Sequence, residues 1–146
     1  MRGELLLLVG LDLVKIGDVA SSVERFGHRF LDRIFTQDEL QYCLADAGPS
    51  AARLAARFAA KEAARKVLCL DNEAIAWRSI EIVRCSNGWC HLVLHGEALA
   101  LARAAEYGRF SLSMTHESEY ASAVVVCERP RRKDVCDEGY HPRNLA

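Results

Sequence analysis

The 146-residue chain carries no excess of either charge: 19 Lys and Arg stand against 20 Asp and Glu. Without a global field, neither a nucleic-acid nor a membrane partner is expected, and any charge-based recognition must be local. No apolar run is long enough to cross a bilayer, because Asp12, Lys15 and Asp18 interrupt the stretch that begins at Leu5. No small-residue cleavage site ends that stretch, so a cytoplasmic location is expected. There is no CxxC pair among Cys43, Cys69, Cys85, Cys90, Cys127 and Cys136, and no spacing typical of zinc ligands. A chain of this length buries about two-thirds of its unfolded surface without a staple, so the cysteines read as reduced packing residues rather than as the disulfide framework of a smaller secreted protein. GxxxxGKS/T and GxGxxG are also missing. A phosphate-bearing ligand would therefore have to be held by side chains, not by a glycine-rich loop. His91 and His95 are four apart but flank a strand and lack the Glu of HExxH, which leaves them as surface or packing residues.

The patterns that are present alternate between strand and helix without a βαβ rhythm, which predicts an α+β fold, a small antiparallel sheet packed with a long central helix. Residues 5–14 form a Leu/Val run broken by Gly10 and Asp12, as in a strand covered on both faces. From 17 to 34 the apolar spacing is helical, and Arg25, Arg29 and Arg33 recur at i, i+4. Thr36 and Glu39 form a capping-box pattern for a short helix ending near Ala47-Gly48-Pro49, and Ser50 caps a helix over 51–68 that contains neither Gly nor Pro. A hairpin is predicted over 79–94 around Asn87-Gly88, a helix over 97–106, and a second hairpin from 110–115 and 121–127. Residues 1–128 are expected to form one domain, and the polar stretch 129–146 a disordered tail.

Two acids stand on otherwise greasy elements. Asp12 is embedded in the first strand, and Glu62 shares a side of the long helix with Ala55, Phe58, Ala59 and Lys66. Carboxylates taken from water need a cation, and two such acids suit a hard divalent ion, with Arg57, Lys61 and Lys66 nearby to meet phosphates. A structural ion-pair cluster, including a Glu62–Lys66 bridge within the helix, fits the same residues. His116 ends a strand with Ser113 and Thr115, either as a ligand contact or as a turn histidine. The Arg25, Arg29 and Arg33 ridge is a solvated helix face or a docking surface for an acidic partner.

Gly10-Leu11-Asp12-Leu13-Val14, Arg29-Phe30 through Arg33-Ile34 with Thr36 and Glu39-Leu40, Arg57-Phe58-Ala59-Ala60-Lys61-Glu62-Ala63 with Lys66, Ile80-Glu81-Ile82 with Asn87-Gly88, and Ser113-Met114-Thr115-His116 followed by Tyr120-Ala121, in this order, resemble the holo-acyl-carrier-protein synthase family of small phosphopantetheinyl transferases. The resemblance implies transfer of 4′-phosphopantetheine from coenzyme A to a serine of an apo acyl carrier protein in fatty acid or polyketide assembly, with release of 3′,5′-ADP. It implies magnesium on Asp12 and Glu62, and Glu62 and Lys66 as the catalytic pair. Arg57, Lys61, Lys66, Thr115 and His116 would serve the coenzyme, and Arg25, Arg29 and Arg33 the carrier. A homotrimer with sites between subunits is also implied. The chain departs from the family at Asp18, at Leu70-Asp71-Asn72-Glu73 and at Asn87-Gly88-Trp89-Cys90, positions that bear on base contacts and carrier preference. A carrier-binding scaffold without turnover and a magnesium-dependent pyrophosphate hydrolase are the competing readings.

Overall fold

The computed structural model describes residues 4–45, 50–70 and 74–131. In chain order its elements are β1 (Leu5–Lys15), α1 (Ile16–Phe26), α2 (His28–Ile34), α3 (Gln37–Cys43), α4 (Ala51–Val67), a 3-10 turn (Trp77–Ser79), β2 (Ile80–Arg84), β3 (Cys90–Leu94), α5 (Gly96–Ala104), β4 (Phe110–His116) and β5 (Tyr120–Pro130). The fold is α+β. One antiparallel sheet runs β1-β5-β4, and β2 and β3 form a separate hairpin. Among the described residues no helix is long and apolar enough to cross a membrane.

Small residues set the architecture. Ala55, Ala56, Ala59, Ala60, Ala63 and Ala64 are all buried in α4, so the helix backbone comes down close to the sheet. The closest approach is at Gly10, where a Cβ would collide with the Ala63 carbonyl oxygen and crowd Val67. Caps act as the sequence reading expects. Thr36 and Glu39 close a full capping box on α3, and the Ser50 hydroxyl accepts the Arg53 amide at 3.3 Å. The core lies on both sides of α4. One part joins Val19, Leu31, Ile34, Phe35 and Leu40 to Leu54 and Ala55, and the other joins Val67, Leu68 and Leu70 to Ile80, Leu94 and Ala98.

Three expectations change. β1 is covered on one face only: its even-numbered residues turn toward α4, while Leu5, Leu7, Val9, Leu11 and Leu13 are 58–65 % exposed. β1 is the edge strand of its sheet, and among the described residues nothing lies over that outer face. The helix expected over 17–34 is two helices. Gly27 separates them with φ +52°, a left-handed conformation that glycine adopts without penalty, so Arg25 ends α1 while Arg29 and Arg33 share α2. At the other end β5 continues through Arg129 and Pro130, residues expected in the tail, and the Arg131 amide donates to the Glu4 carbonyl at 2.9 Å. Residues 132–146, the loop 46–49 where α3 was expected to end, and 71–73 lie outside the described residues.

Candidate active site

Alternation along β1 puts Asp12 on the same face as Gly10, two residues on, so the strand that touches α4 at Gly10 also aims a carboxylate at it. On α4 the i, i+4 row Phe58, Glu62 and Lys66 faces this strand. Lys66 Nζ donates to Asp12 Oδ1 at 2.9 Å and to the Leu11 carbonyl at 2.7 Å. The lysine side chain is 46 % exposed and the aspartate 18 %, so the pair stands at the mouth of the cavity, not in the core. Ser122 Oγ, from β5, donates to the Asp12 carbonyl at 2.9 Å and holds the strand in place. Asp12 and Glu62 line one cavity of about 340 Å³, together with Lys15, Asp18, Ser22, Phe30 and Phe58.

This donor set suits magnesium. The ion takes one or two carboxylates and fills its octahedron with water and phosphate oxygens, and Asp12 and Glu62 supply hard oxygens on two rigid elements, with Asp18 on the same wall. Among the described residues no group of three or more His, Cys, Asp or Glu is placed to hold a metal alone. A site of this kind leaves most of the coordination shell to solvent and substrate.

Arg57 and Lys61 do not line this cavity. They lie on the neighbouring row of α4, about 100° around the helix from Phe58 and Glu62. Lys61 is fully buried. Its ammonium pairs with Glu39 Oε2 at 2.8 Å and donates to the Ile34 and Ile80 carbonyls at 2.9 and 2.6 Å. Burial pushes the Lys61 pKa below the ordinary lysine value, against the pull of Glu39. Glu39 in turn accepts the Thr36 and Ile82 amides at 2.8 and 2.9 Å. Arg57 is also buried, and its guanidinium stacks 4.3 Å from the Tyr42 ring, which Arg53 and Arg84 approach at 4.9 and 5.3 Å.

Thr115 and His116 are exposed at the end of β4 and line a different cavity, of about 410 Å³, with Leu13, Glu117, Tyr120 and Ser122. By register Thr115 lines up through Ser122 with Leu13 on the outward face and His116 through Ala121 with Val14 on the inward one, and within one chain neither lines the acid cavity. The arginine ridge is exposed. Arg25 lies 5.0 Å over the Phe26 ring, and Arg29 and Arg33 flank Phe30, which reaches into the acid cavity.

Sequence reading missed Lys15, Asp18 and Ser22 on the cavity wall, Tyr42 as the hub of three arginines, and the Glu81 network. Glu81 accepts Thr36 Oγ1 at 2.9 Å and contacts His95 Nε2 at 2.7 Å. Burial works to raise the Glu81 pKa, but the His95 and Thr36 hydrogen bonds outweigh it and hold the carboxyl below the ordinary glutamate value. Tyr42 and Thr36 carry no sequence signal for these roles because their partners come from distant elements.

The 4′-phosphopantetheinyl transferase superfamily model matches residues 8–125. The chain is 39 % identical over 125 residues to a holo-[acyl-carrier-protein] synthase of Koribacter versatilis, covering 85 % of this chain and 99 % of that one. It is 41 % identical over 123 residues to the synthase of Moorella thermoacetica, covering 84 % and 94 %. Among solved structures, the Helicobacter pylori holo-[acyl-carrier-protein] synthase in complex with coenzyme A superposes with a TM-score of 0.71 at 27 % identity, over 82 % of this chain and 99 % of that one. A Chronobacterium ammoniagenes complex with coenzyme A superposes with a TM-score of 0.76 at 29 % identity, over 87 % and 99 %.

Proposed function

The chain belongs to the 4′-phosphopantetheinyl transferase superfamily, among the holo-acyl-carrier-protein synthases, and from that footing we propose that it moves 4′-phosphopantetheine from coenzyme A to a serine of an apo acyl carrier protein. The observation that carries the assignment of residues is the shared cavity of Asp12 and Glu62, with Lys66 fixed at its edge. Asp12 and Glu62 would hold magnesium. When bound, the ion supplies neutralisation of pyrophosphate charge.

The carrier serine oxygen attacks the phosphorus on the pantetheine side of the pyrophosphate, a P–O bond forms, and the bond to the 3′,5′-ADP leaving group breaks. Glu62, the half-buried carboxylate that lines the cavity beside Asp12, takes the serine proton. Lys66, held by Asp12 and the Leu11 carbonyl, presents its remaining donor capacity to the charge that builds on the leaving phosphate. Arg29 and Arg33 on α2 steer the carrier toward the cavity wall formed by Phe30. Lys61 and Arg57 act by holding α4 in place against α3 and β2.

The site is completed between copies of the chain. The uncovered apolar stripe of β1 continues into half-buried Val124 and Val126 on β5, and monomeric proteins rarely expose so large a contiguous apolar face. Packing these faces together as a homotrimer would bring Thr115 and His116 of one subunit to the acid cavity of the next. Light scattering on Leu11→Arg is expected to show monomers that have lost transfer. A monomeric wild type of full activity would refute this assembly.

Mass spectrometry of an apo carrier incubated with coenzyme A, magnesium and the protein tests the reaction. The carrier is expected to gain one phosphopantetheinyl group, and Glu62→Gln to slow the gain by about 10²-fold or more. An unmodified carrier would point to a scaffold, and free phosphopantetheine formed without carrier to a hydrolase.

A further inference from the structure

The β2–β3 hairpin carries a nucleophile that the transferase reaction leaves unused. The Cys85 amide donates to the Trp89 carbonyl at 2.7 Å and closes the turn. Arg84 pairs with Cys90 and Val83 with His91, so alternation places Cys85, Trp89 and His91 on one face of the ribbon and Cys90 on the other. On that face the Cys85 thiol meets His91 Nδ1 at 3.3 Å. The thiol is half-buried and the imidazole exposed. An imidazole in this position takes the thiol proton as the sulfur attacks.

Two of the other described cysteines are sealed in the core. Cys43 is buried, and burial pushes its thiol up to about 11. Cys127 is buried, raised in the same way, and bonded to the Gly108 and Glu128 carbonyls. Cys69 is exposed, with its sulfur 4.0 Å from the Val67 carbonyl, and serves as the exposed reference.

His91 also borders a cavity of about 650 Å³ between β3, α5 and the start of β4. Arg103 and Arg109 line it, no acidic residue among those described does, and Tyr107 and Phe110 stack beside it at 6.0 Å. The space beyond the imidazole is therefore cationic with apolar walls, a seat for an anionic group. This cavity shares no lining residue with the acid cavity, so the feature is independent of it.

We infer that Cys85 is a thiolation site for low-molecular-weight disulfides that carry anionic groups. Cys85 Sγ attacks one sulfur of RS–SR, a Cys85–S–S–R bond forms, and the S–S bond of the reagent breaks. Cys85 is oxidised to the mixed disulfide and the departing sulfur is reduced. His91 takes the thiol proton and returns it to the departing thiolate, which leaves as RSH. The retained R group sits against Arg103 and Arg109.

The test incubates the full chain with glutathione disulfide, which is anionic, or cystamine, which is cationic, and follows each cysteine by peptide mass spectrometry. Cys85 is expected to gain a glutathionyl group at least about tenfold faster than Cys69, and His91→Gln to slow Cys85 by about the same factor while Cys69 keeps its rate. Glutathione disulfide is expected to outpace cystamine at Cys85, and Arg103→Ser with Arg109→Ser to abolish that preference. If His91→Gln unfolds the hairpin, labelling of buried Cys43 and Cys127 reports it, and the two wild-type comparisons decide alone. Equal rates at Cys85 and Cys69, an unchanged Cys85 rate in folded His91→Gln, or faster reaction with cystamine would each overturn the inference.

Discussion

Replacing Lys61 with methionine separates a lysine that holds the fold from one that holds the substrate. Methionine keeps most of the length and removes the charge. Lys61 and Glu39 are both fully buried, and removing one partner of a buried pair costs about 3–5 kcal/mol because the other charge is stranded. The Ile34 and Ile80 carbonyls lose a donor at the same time. Glu39 still accepts the Thr36 and Ile82 amides, so the losses overlap and about 3–5 kcal/mol stands for the whole substitution. Against a total stability of about 5–15 kcal/mol, and with a urea dependence of about 2 kcal/mol/M, the unfolding midpoint should fall by roughly 2 M. Urea titration by circular dichroism at one protein concentration measures it. Adding Glu39→Leu should recover part of the loss, since an apolar pair has no stranded charge. On the folded fraction the KM for coenzyme A should stay within about twofold. A variant that keeps its stability to within about 1 kcal/mol but loses tenfold or more in coenzyme affinity would refute this and place Lys61 on the substrate, as the family resemblance had it.

Gly10→Ala drives a methyl group into the Ala63 carbonyl. α4 must move from β1, and because a 1 Å misplacement can cost about 10²-fold, transfer should fall by that order, read as kcat in the carrier assay. Arg29→Glu should raise the KM for the carrier about tenfold and weaken its salt dependence while calorimetry shows coenzyme A binding unchanged; equal loss of both would contradict the docking role. His95→Ala tests the Glu81 network. A carboxyl held below its ordinary value of 4.5 contributes stability that is present above that value and is lost as pH falls through the depressed one. The variant should therefore be about 1 kcal/mol less stable than wild type at neutral pH, with the gap closing in acid; a gap that widens in acid would reverse the sign.

Asp12, Glu62 and Lys66 were legible because each is a charged group where an apolar one is expected, and such a group needs a partner. The two acids meet in one cavity, and Lys66 partners Asp12 beside it. Arg57 and Lys61, expected beside the acids, do not line the acid cavity within one chain, for a geometric reason: they sit close to Glu62 in sequence, but adjacent helical residues diverge by about 100°. Their partners Tyr42 and Glu39 come from α3, which no spacing within α4 reveals. The break at Gly27 was hidden because apolar residues keep a helical spacing through it. Cys85 and His91 meet across a hairpin, and a gap read along the chain does not show which side chains share a face.

The outer face of β1 is left exposed within one chain for a reason that bears on how the site is built. Apolar residues occupy both faces of the strand, so hydrophobicity does not choose between the two registers in which β1 could lie against α4, and a slip of one residue would exchange the faces. Gly10 makes the choice. Only a residue without a Cβ fits against the Ala63 carbonyl, so Leu11 or Val9 cannot take its place, and the register that seats Gly10 is the one that turns Asp12 toward Glu62. The same register turns Leu11 and Leu13 outward. One glycine thus sets the inward acid and the outward apolar stripe together, and a change that weakens the Gly10–Ala63 approach should disturb the proposed metal binding and the proposed self-association in parallel, even though the two lie on opposite faces of the strand.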